Sequence, residues 1–143
     1  MKRMSTTLVS IFSAVGIAFA VTAMSASTGA LPREQLQGSV SYLSGGIGLD
    51  ESNAIKQAAS QYSLELEFVR KATPKAEYLS DIKVTIKNHA GKAVLETMSN
   101  GPFLLAKLPV GQFTVTAERG GEAKQRVVNI KAQGHERVIF EWQ

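Results

Sequence analysis

Short stretches of alternating apolar and polar residues recur from Tyr78 to the C-terminus of this chain. The clearest is the run 82–87, where Ile82, Val84 and Ile86 alternate with charged or hydroxylated residues. Clusters of Gly, Pro and Asn separate such stretches at intervals of about 8 to 12 residues, which is typical of short strands joined by turns. Because each strand has one apolar face, that face must pack against a second layer. The sequence therefore predicts a mainly β fold, either a β-sandwich or a barrel; in a sandwich, two sheets bury their apolar faces against each other.

The length and composition narrow the remaining choices. A chain of 143 residues is long enough for one domain with a short extension. Its hydrophobic fraction of 44% and charged fraction of 20% are typical of a globular protein and exclude a wholly disordered chain or a coiled coil. The absence of cysteine excludes disulfides, thiolate metal ligands, a cysteine nucleophile and an N-terminal lipid-modified cysteine.

The first 30 residues have the three-part pattern of a secretory signal peptide. Lys2 and Arg3 give a positive start, an apolar run extends from Leu8 to Val21, and small residues dominate as far as Ala30. We therefore predict a periplasmic or secreted protein that contacts the membrane only through a leader that is later cleaved. A retained anchor is the alternative, although the longer stretch from Leu8 to Met24 spans only 17 residues and a spanning helix needs about 20 apolar ones.

The cut site and the mature charge follow from the same segment. Small residues fit the cleavage pattern at three places, so cleavage after Ala20, Ser25 or Ala30 stays open.

Loss of Lys2 and Arg3 leaves 14 basic residues against 12 acidic ones, and no basic run is longer than two. Nucleic-acid binding needs a clustered basic face, so we expect no nucleic-acid partner. An exported chain without cysteine favours a bacterial protein, because small secreted eukaryotic domains more often carry disulfides.

Residues 31–77 form a predicted N-terminal extension with one helix and one or two strands. Val40–Leu43 is apolar enough for a short strand. Asp50 has the side chain of a helix N-cap, and the apolar stripe that follows predicts a helix to about Gln61.

A change of period marks the next strand. The run Leu64–Phe68 alternates apolar residues with Glu65 and Glu67, which predicts a strand whose two glutamates face solvent. Residues 70–77 contain Pro74 and read as a linker to the β-rich part, which we delimit as residues 78–143.

No group of residues has the pattern of a catalytic or metal centre. His89 and His135 are the only histidines, both fall in predicted turns, and a zinc site needs three or four ligands with short spacings. The glycines at 45, 46 and 48 lack the lysine and hydroxyl residue of a phosphate-binding loop. A serine nucleophile elbow is also missing. We therefore predict no catalytic residue, no cofactor, no metal and no enzymatic activity.

The aromatic residues divide into two groups. Phe113, Phe140 and Trp142 alternate with polar residues and are predicted to lie in the core. The three tyrosines lie outside the regular β pattern, so we predict them as surface-binding candidates: Tyr42, Tyr62 and Tyr78.

One corner between strands has a clear backbone reason. Proline fixes the chain as it leaves one strand, glycine allows a tight reversal, and apolar residues on either side close the end of the core. The residues of this predicted structural corner are Leu108, Pro109, Gly111 and Phe113.

These motifs carry a resemblance to a known family. The run Val84-x-Ile86, Gly91, Val94, Asn100-Gly101-Pro102-Phe103 and Leu108-Pro109-Val110-Gly111-Gln112-Phe113-x-Val115 resembles the carboxypeptidase regulatory-like family, whose corner also recurs in transthyretin-like and collagen-adhesin B-type domains. The resemblance covers about Leu79 to Trp142. It implies a seven-stranded Greek-key β-sandwich of the transthyretin-like (prealbumin-like) type, which accompanies enzymes, receptors or adhesins without doing chemistry itself. The mature chain as a whole also resembles small exported bacterial proteins that carry one such domain.

We therefore predict a non-enzymatic binding or structural module of the bacterial cell envelope. Its partner is an unknown envelope protein or glycan, and protein–protein interaction is the preferred role. A carbohydrate-binding module and a hydrolase of unrecognised type are the alternatives. Exposed aromatic rings in one plane favour sugar binding, a deep pocket with converging histidine and acids favours an enzyme, and a long unpaired edge strand favours protein binding.

The predicted leader can be tested directly. When the full chain is expressed in a Gram-negative bacterium, osmotic shock is expected to release a shortened protein whose N-terminal sequence starts after Ala20, Ser25 or Ala30. A cytoplasmic enzyme serves as the control for lysis. Recovery of the full-length chain in the membrane fraction would contradict cleavage and support a retained anchor.

Overall fold

The computed structural model describes residues 30–143, so the predicted signal peptide lies outside the described residues except for Ala30. Within this part the chain is mainly β, with ten strands and one helix that continues into a 3₁₀ turn at Ala59–Gln61. The elements in chain order are β1 (Gln35–Gln37), β2 (Val40–Gly45), α1 (Leu49–Ala58), β3 (Leu64–Arg70), β4 (Glu77–Tyr78), β5 (Ile82–Asn88), β6 (Ala93–Ser99), β7 (Phe103–Lys107), β8 (Gly111–Arg119), β9 (Glu122–Ile130) and β10 (Glu136–Trp142).

The strands form two sheets. Sheet A has the order β1-β2-β7-β3-β10, and the short β4 pairs with the end of β3. Sheet B has the order β6-β5-β8-β9. All strand pairs are antiparallel except β3 with β10, which run parallel over the full length of β10. The prediction of a mainly β fold with two sheets is confirmed.

One apolar core lies between the sheets. Alternate residues of β2, β3 and β5–β10 point into it, as the period-two pattern predicts. Phe113, Phe140 and Trp142 are all buried there, which confirms their predicted place in the core. The largest fully buried side chains that join them come from β3, β5, β6 and β7: Leu64, Leu66, Phe68, Ile82, Ile86, Leu95 and Leu104.

Strands of the predicted extension share sheet A with strands of the β-rich part. Strand β3 of the extension lies inside the sheet, between β7 and β10. Two further short strands form where the sequence suggests irregular chain. Strand β1 pairs with β2, and β4 lies across the C-terminal end of the predicted linker 70–77. The boundary at residue 78 between the extension and the β-rich part marks where the family resemblance begins, and it stays a prediction.

Helix α1 packs on the outer face of sheet A, away from the main core. A second, smaller apolar cluster joins the helix to β2 and β7; it contains Leu43, Ile55, Ala59, Tyr62, Phe103 and Leu105. The helix ends where predicted, but the predicted cap is wrong. The N-cap is Gly48, whose φ of +91° suits glycine, and Asp50 lies inside the first turn.

Glycines bring the start of the helix close to sheet A. The carboxylate of Glu51 accepts a hydrogen bond from the N–H of Gly46 at 2.8 Å, which fixes the loop before α1. A Cβ atom on Gly101 would overlap the carbonyl oxygen of Gly45, so the two backbones approach more closely than any larger residue allows. The loop 45–48 and the turn before β7 are thus packed backbone to backbone.

The predicted corner joins β7 to β8. Leu108 and Phe113 are buried in the main core, and Pro109 lies in the exposed turn between the two strands. Gly111 begins β8 with φ +149°. The backbone N–H of Leu108 donates a hydrogen bond to Ser63 Oγ at 2.7 Å, so the start of β3 fixes the corner in place. No helix within residues 30–143 has the length and apolar character to cross a membrane.

The close approach at Gly101 predicts a steric penalty. We expect Gly101→Ala to lower the free energy of unfolding by about 2 kcal/mol, because the new methyl group must push two backbone segments apart. Asn100→Ala, at the exposed neighbouring position, is the control and is expected to change it little. Chemical denaturation measures both. Equal stability of the Gly101→Ala variant and the parent would contradict the close packing.

Candidate functional site

The three tyrosines predicted as surface candidates have different environments. Tyr42 and Tyr62 are only 6% and 5% exposed, so the expectation of exposure is wrong for both. Tyr42 is an inward residue of β2 in the main core, and Tyr62 belongs to the cluster beneath the helix. A tyrosine outside a regular alternation can still be buried when its hydroxyl finds a polar partner at the edge of the core.

The Tyr62 hydroxyl has such a partner in the segment before β1. It donates a hydrogen bond of 2.5 Å to Glu34, and the Lys107 ammonium lies 4.9 Å from the centre of the Tyr62 ring. Burial and this hydrogen bond together raise the pKa of Tyr62 to about 12. The same hydrogen bond lowers the pKa of Glu34. Tyr62 therefore serves to attach the start of the described chain to sheet A.

Tyr78 is the exposed member of the three. Its side chain is on the outer face of sheet A, edge-on to the Phe103 ring at 5.4 Å, and its residue is 51% exposed. The Lys56 ammonium from α1 lies 5.8 Å from the ring centre. Tyr78 borders two shallow clefts of about 640 and 310 Å³, one along the chain between β3 and β4 and one beside the glycine loop. Tyr78 therefore provides a single exposed aromatic ring for contacts with other molecules.

Two glutamates on β3 are buried, although the alternating pattern predicts them to face solvent. Glu65 and Glu67 are 6% and 7% exposed, so the solvent-facing interpretation is wrong. They do lie on the opposite face of β3 from the main core, as predicted, but Arg137 of β10 and His135, which precedes that strand, contact them there. The Arg137 guanidinium contacts both carboxylates and hydrogen-bonds to Glu67. That hydrogen bond is the main reason why the pKa of Arg137 is raised.

His135 completes this charged cluster. Its Nδ1 lies 2.8 Å from the carbonyl oxygen of Tyr62, and its Nε2 lies 2.9 Å from the Glu65 carboxylate. A carbonyl only accepts, so Nδ1 carries a hydrogen in this arrangement. The imidazole thus links the start of β10 to the start of β3. The other histidine, His89, is exposed and faces Gln112 Oε1 at 3.0 Å.

The cluster of Glu65, Glu67, His135 and Arg137 holds two strands together through mutual contacts. Each of its members has a partner within the cluster or in the backbone beside it. Across residues 30–143, no three His, Asp or Glu side chains lie close enough to hold a metal ion. The geometry is that of a structural ion-pair network between parallel strands.

The free edges of the sheets offer a different kind of site. Sheet B ends in β6 on one side and β9 on the other. At the β6 edge, the side-chain amide of Gln37 donates to the carbonyl of Glu96 at 3.0 Å and accepts from its N–H at 2.7 Å. Gln37 thus occupies the backbone groups at the middle of this edge as a neighbouring strand would.

The β9 edge is longer, and no strand within residues 30–143 covers it. Its nine residues pair with β8 on one side in an unbroken register from Glu122 to Ile130. The β8–β9 turn has positive φ at both Gly120 and Gly121, which is a type I′ hairpin. In this hairpin Arg119 and Glu122 form a hydrogen-bonded pair, so every second residue from Ala123 directs its backbone groups away from β8. These residues are Ala123, Gln125, Val127 and Asn129, and all four are exposed.

Comparison with known proteins adds no family assignment. The chain matches no protein-family model, and a search of curated proteins finds no similar chain.

Sequence reasoning missed both the charged cluster and the open edge. The signal for the cluster was present as opposite charges at alternate positions, Glu65 and Glu67 on one strand and Arg137 on another, but only their pairing in the sheet brings them together. The open edge depends on which strand ends the sheet. That order is set by long-range pairing and has no local sequence signal.

The cluster predicts strong coupling between Arg137 and Glu67. We expect Arg137→Met to lower the free energy of unfolding at neutral pH by about 2 kcal/mol, because a buried carboxylate loses its cation. Adding Glu67→Gln is expected to restore more than half of that loss. The control Arg70→Met removes an exposed ion pair with Glu77 and is expected to cost under about 0.5 kcal/mol. Simple additivity of the two cluster substitutions in denaturation experiments would contradict the coupling.

Proposed function

We propose that this protein is an exported, non-enzymatic binding module of the bacterial cell envelope. In this proposal, residues 78–143 are the carboxypeptidase regulatory-like domain and supply β5–β10, and β3 of the extension is the seventh strand of the Greek-key sandwich. Strands β1, β2 and β4 and helix α1 are additions to it. The support is the sequence resemblance together with the two-sheet arrangement around one core.

The β9 edge is the observation that carries the proposed role. A partner protein adds a strand beside β9 and takes up the free backbone groups of its alternate residues. An antiparallel or parallel addition extends sheet B from four strands to five. The edge is nine residues long and regular, whereas the β6 edge is occupied by Gln37, β1 has only three residues, and β10 at the other edge of sheet A has seven.

The two alternatives have weaker support among the described residues. A sugar platform commonly needs several coplanar rings, and Tyr78 is the exposed ring among Tyr42, Tyr62 and Tyr78. A hydrolase needs acid and base groups directed at a substrate, whereas Glu65 and Glu67 are engaged by Arg137 and His135. Strand addition therefore remains the function that the geometry supports best.

A proline substitution on the free edge tests this proposal. Val127 directs its N–H away from β8, so Val127→Pro removes a docking N–H and leaves the β8–β9 ladder intact. Tagged mature protein and this variant are incubated with envelope extract, and retained proteins are identified by mass spectrometry. We expect the specific partner to be retained by the parent and lost by at least tenfold in the variant, as a lost strand contact requires.

Met98→Pro is the matched control on the opposite edge. Met98 is exposed on β6, and its register relative to Glu96 directs its N–H away from β5 in the same way. We expect this variant to retain the partner, and circular dichroism verifies that both variants are folded. Equal retention by parent and Val127→Pro, or recovery of oligosaccharide alone, contradicts strand addition at β9.

A further inference from the structure

The inward side of the β9 edge is positively charged. Lys124 and Arg126 lie two residues apart, so both side chains project toward sheet A. The Lys124 ammonium is 5.8 Å from the Trp142 ring centre, and the Arg126 guanidinium is 5.9 Å from the Phe140 ring centre. These two cations therefore cover the aromatic end of the core where the two sheets meet.

Both cations also interact with β9 itself. Arg126 Nη1 donates a hydrogen bond of 3.0 Å to the carbonyl of Gln125, which is one of the backbone groups directed away from β8. Lys124 lies 3.3 Å from the carboxylate of Glu122. A strand that docks on this edge must displace Arg126 from the Gln125 carbonyl. A partner that offers the guanidinium a new acceptor makes that displacement easier.

The same charges disfavour a second copy of this chain as the docked strand. In an antiparallel arrangement that pairs all nine residues of two β9 strands, Arg126 of one copy lies opposite Arg126 of the other. Like charges directly opposite each other on neighbouring strands are destabilising. A register of the two β9 strands that avoids this contact pairs fewer than nine residues of each copy.

We propose that β9 selects an extended acidic segment of another protein, with carboxylates at two alternate positions opposite Lys124 and Arg126. This inference rests on the proposed strand addition at β9. Because odd-numbered residues of β9 supply the free backbone groups, Lys124 and Arg126 fall at the closely spaced, non-hydrogen-bonded positions when the new strand adds in the antiparallel direction. Their charges therefore lie next to the side chains of the incoming strand.

The other face of the docked strand meets a different surface. The outward residues of β9 are neutral, and Val127 among them is 58% exposed. An incoming strand thus meets two cations and, beside the turn, Glu122 on one face, and neutral side chains on the other. The matching sequence pattern alternates acidic residues with small or apolar residues that favour strands.

Two peptides of equal length test the selection. One alternates glutamate with threonine over about seven residues, a typical strand length, and the other alternates lysine with threonine. Fluorescence anisotropy measures the binding of each labelled peptide to the mature protein. We expect the glutamate peptide to bind about tenfold more tightly, as two opposite-charge cross-strand pairs suggest. In the double variant Lys124→Glu and Arg126→Glu, the preference is expected to reverse.

The outcomes separate this inference from the proposed function. Equal affinity of the parent for both peptides, with loss of both in Val127→Pro, overturns the charge selection and leaves strand addition standing. Binding of the glutamate peptide that is unaffected by Val127→Pro overturns docking at β9 itself. A stable dimer of the mature protein in sedimentation experiments, broken by Val127→Pro, shows that a second copy occupies the edge and also overturns the acidic partner.

Discussion

The burial of alternate apolar side chains between two sheets is the constraint on which the whole structure depends. Neither sheet can shield its apolar face alone, and the two faces meet in one core. Strand β3 lies inside sheet A between β7 and β10, and its Phe68 stacks against Phe140 of β10 at 5.9 Å between ring centres. The chain on both sides of residue 78 thus contributes to the same core, and neither part is an accessory to the other's packing.

That architecture also decides where the protein can interact. Two packed sheets leave edges, and an unprotected edge invites uncontrolled pairing. This chain treats its two sheet-B edges differently. Gln37 occupies the backbone of Glu96 at the β6 edge, whereas Lys124 and Arg126 place charge beside an otherwise open β9 edge. A charged but open edge discourages self-association and still admits a partner of opposite charge.

Local pattern predicts much of this fold because alternation and turn chemistry are local. The strands around Ile82–Ile86 and the corner at Pro109 follow directly from them. Burial on the outer face of sheet A cannot be predicted from local pattern. Alternation shows that Glu65 and Glu67 face away from the core, but it does not show that Arg137 covers them. The prediction of Asp50 as the helix N-cap was wrong for a similar reason, because the backbone conformation of Gly48 determines where the helix begins.

The open edge is the central claim, and amide hydrogen exchange of β9 tests it most directly. In the free protein, alternate β9 amides are expected to exchange rapidly, while Lys124, Arg126 and Val128 are slowed by their bonds to β8. A docked acidic strand is expected to slow the rapid set, and the residues concerned are Ala123, Gln125, Val127 and Asn129. Protection of that set confirms strand addition. Binding that leaves all four amides rapid, with changes confined to the surface around Tyr78, contradicts it.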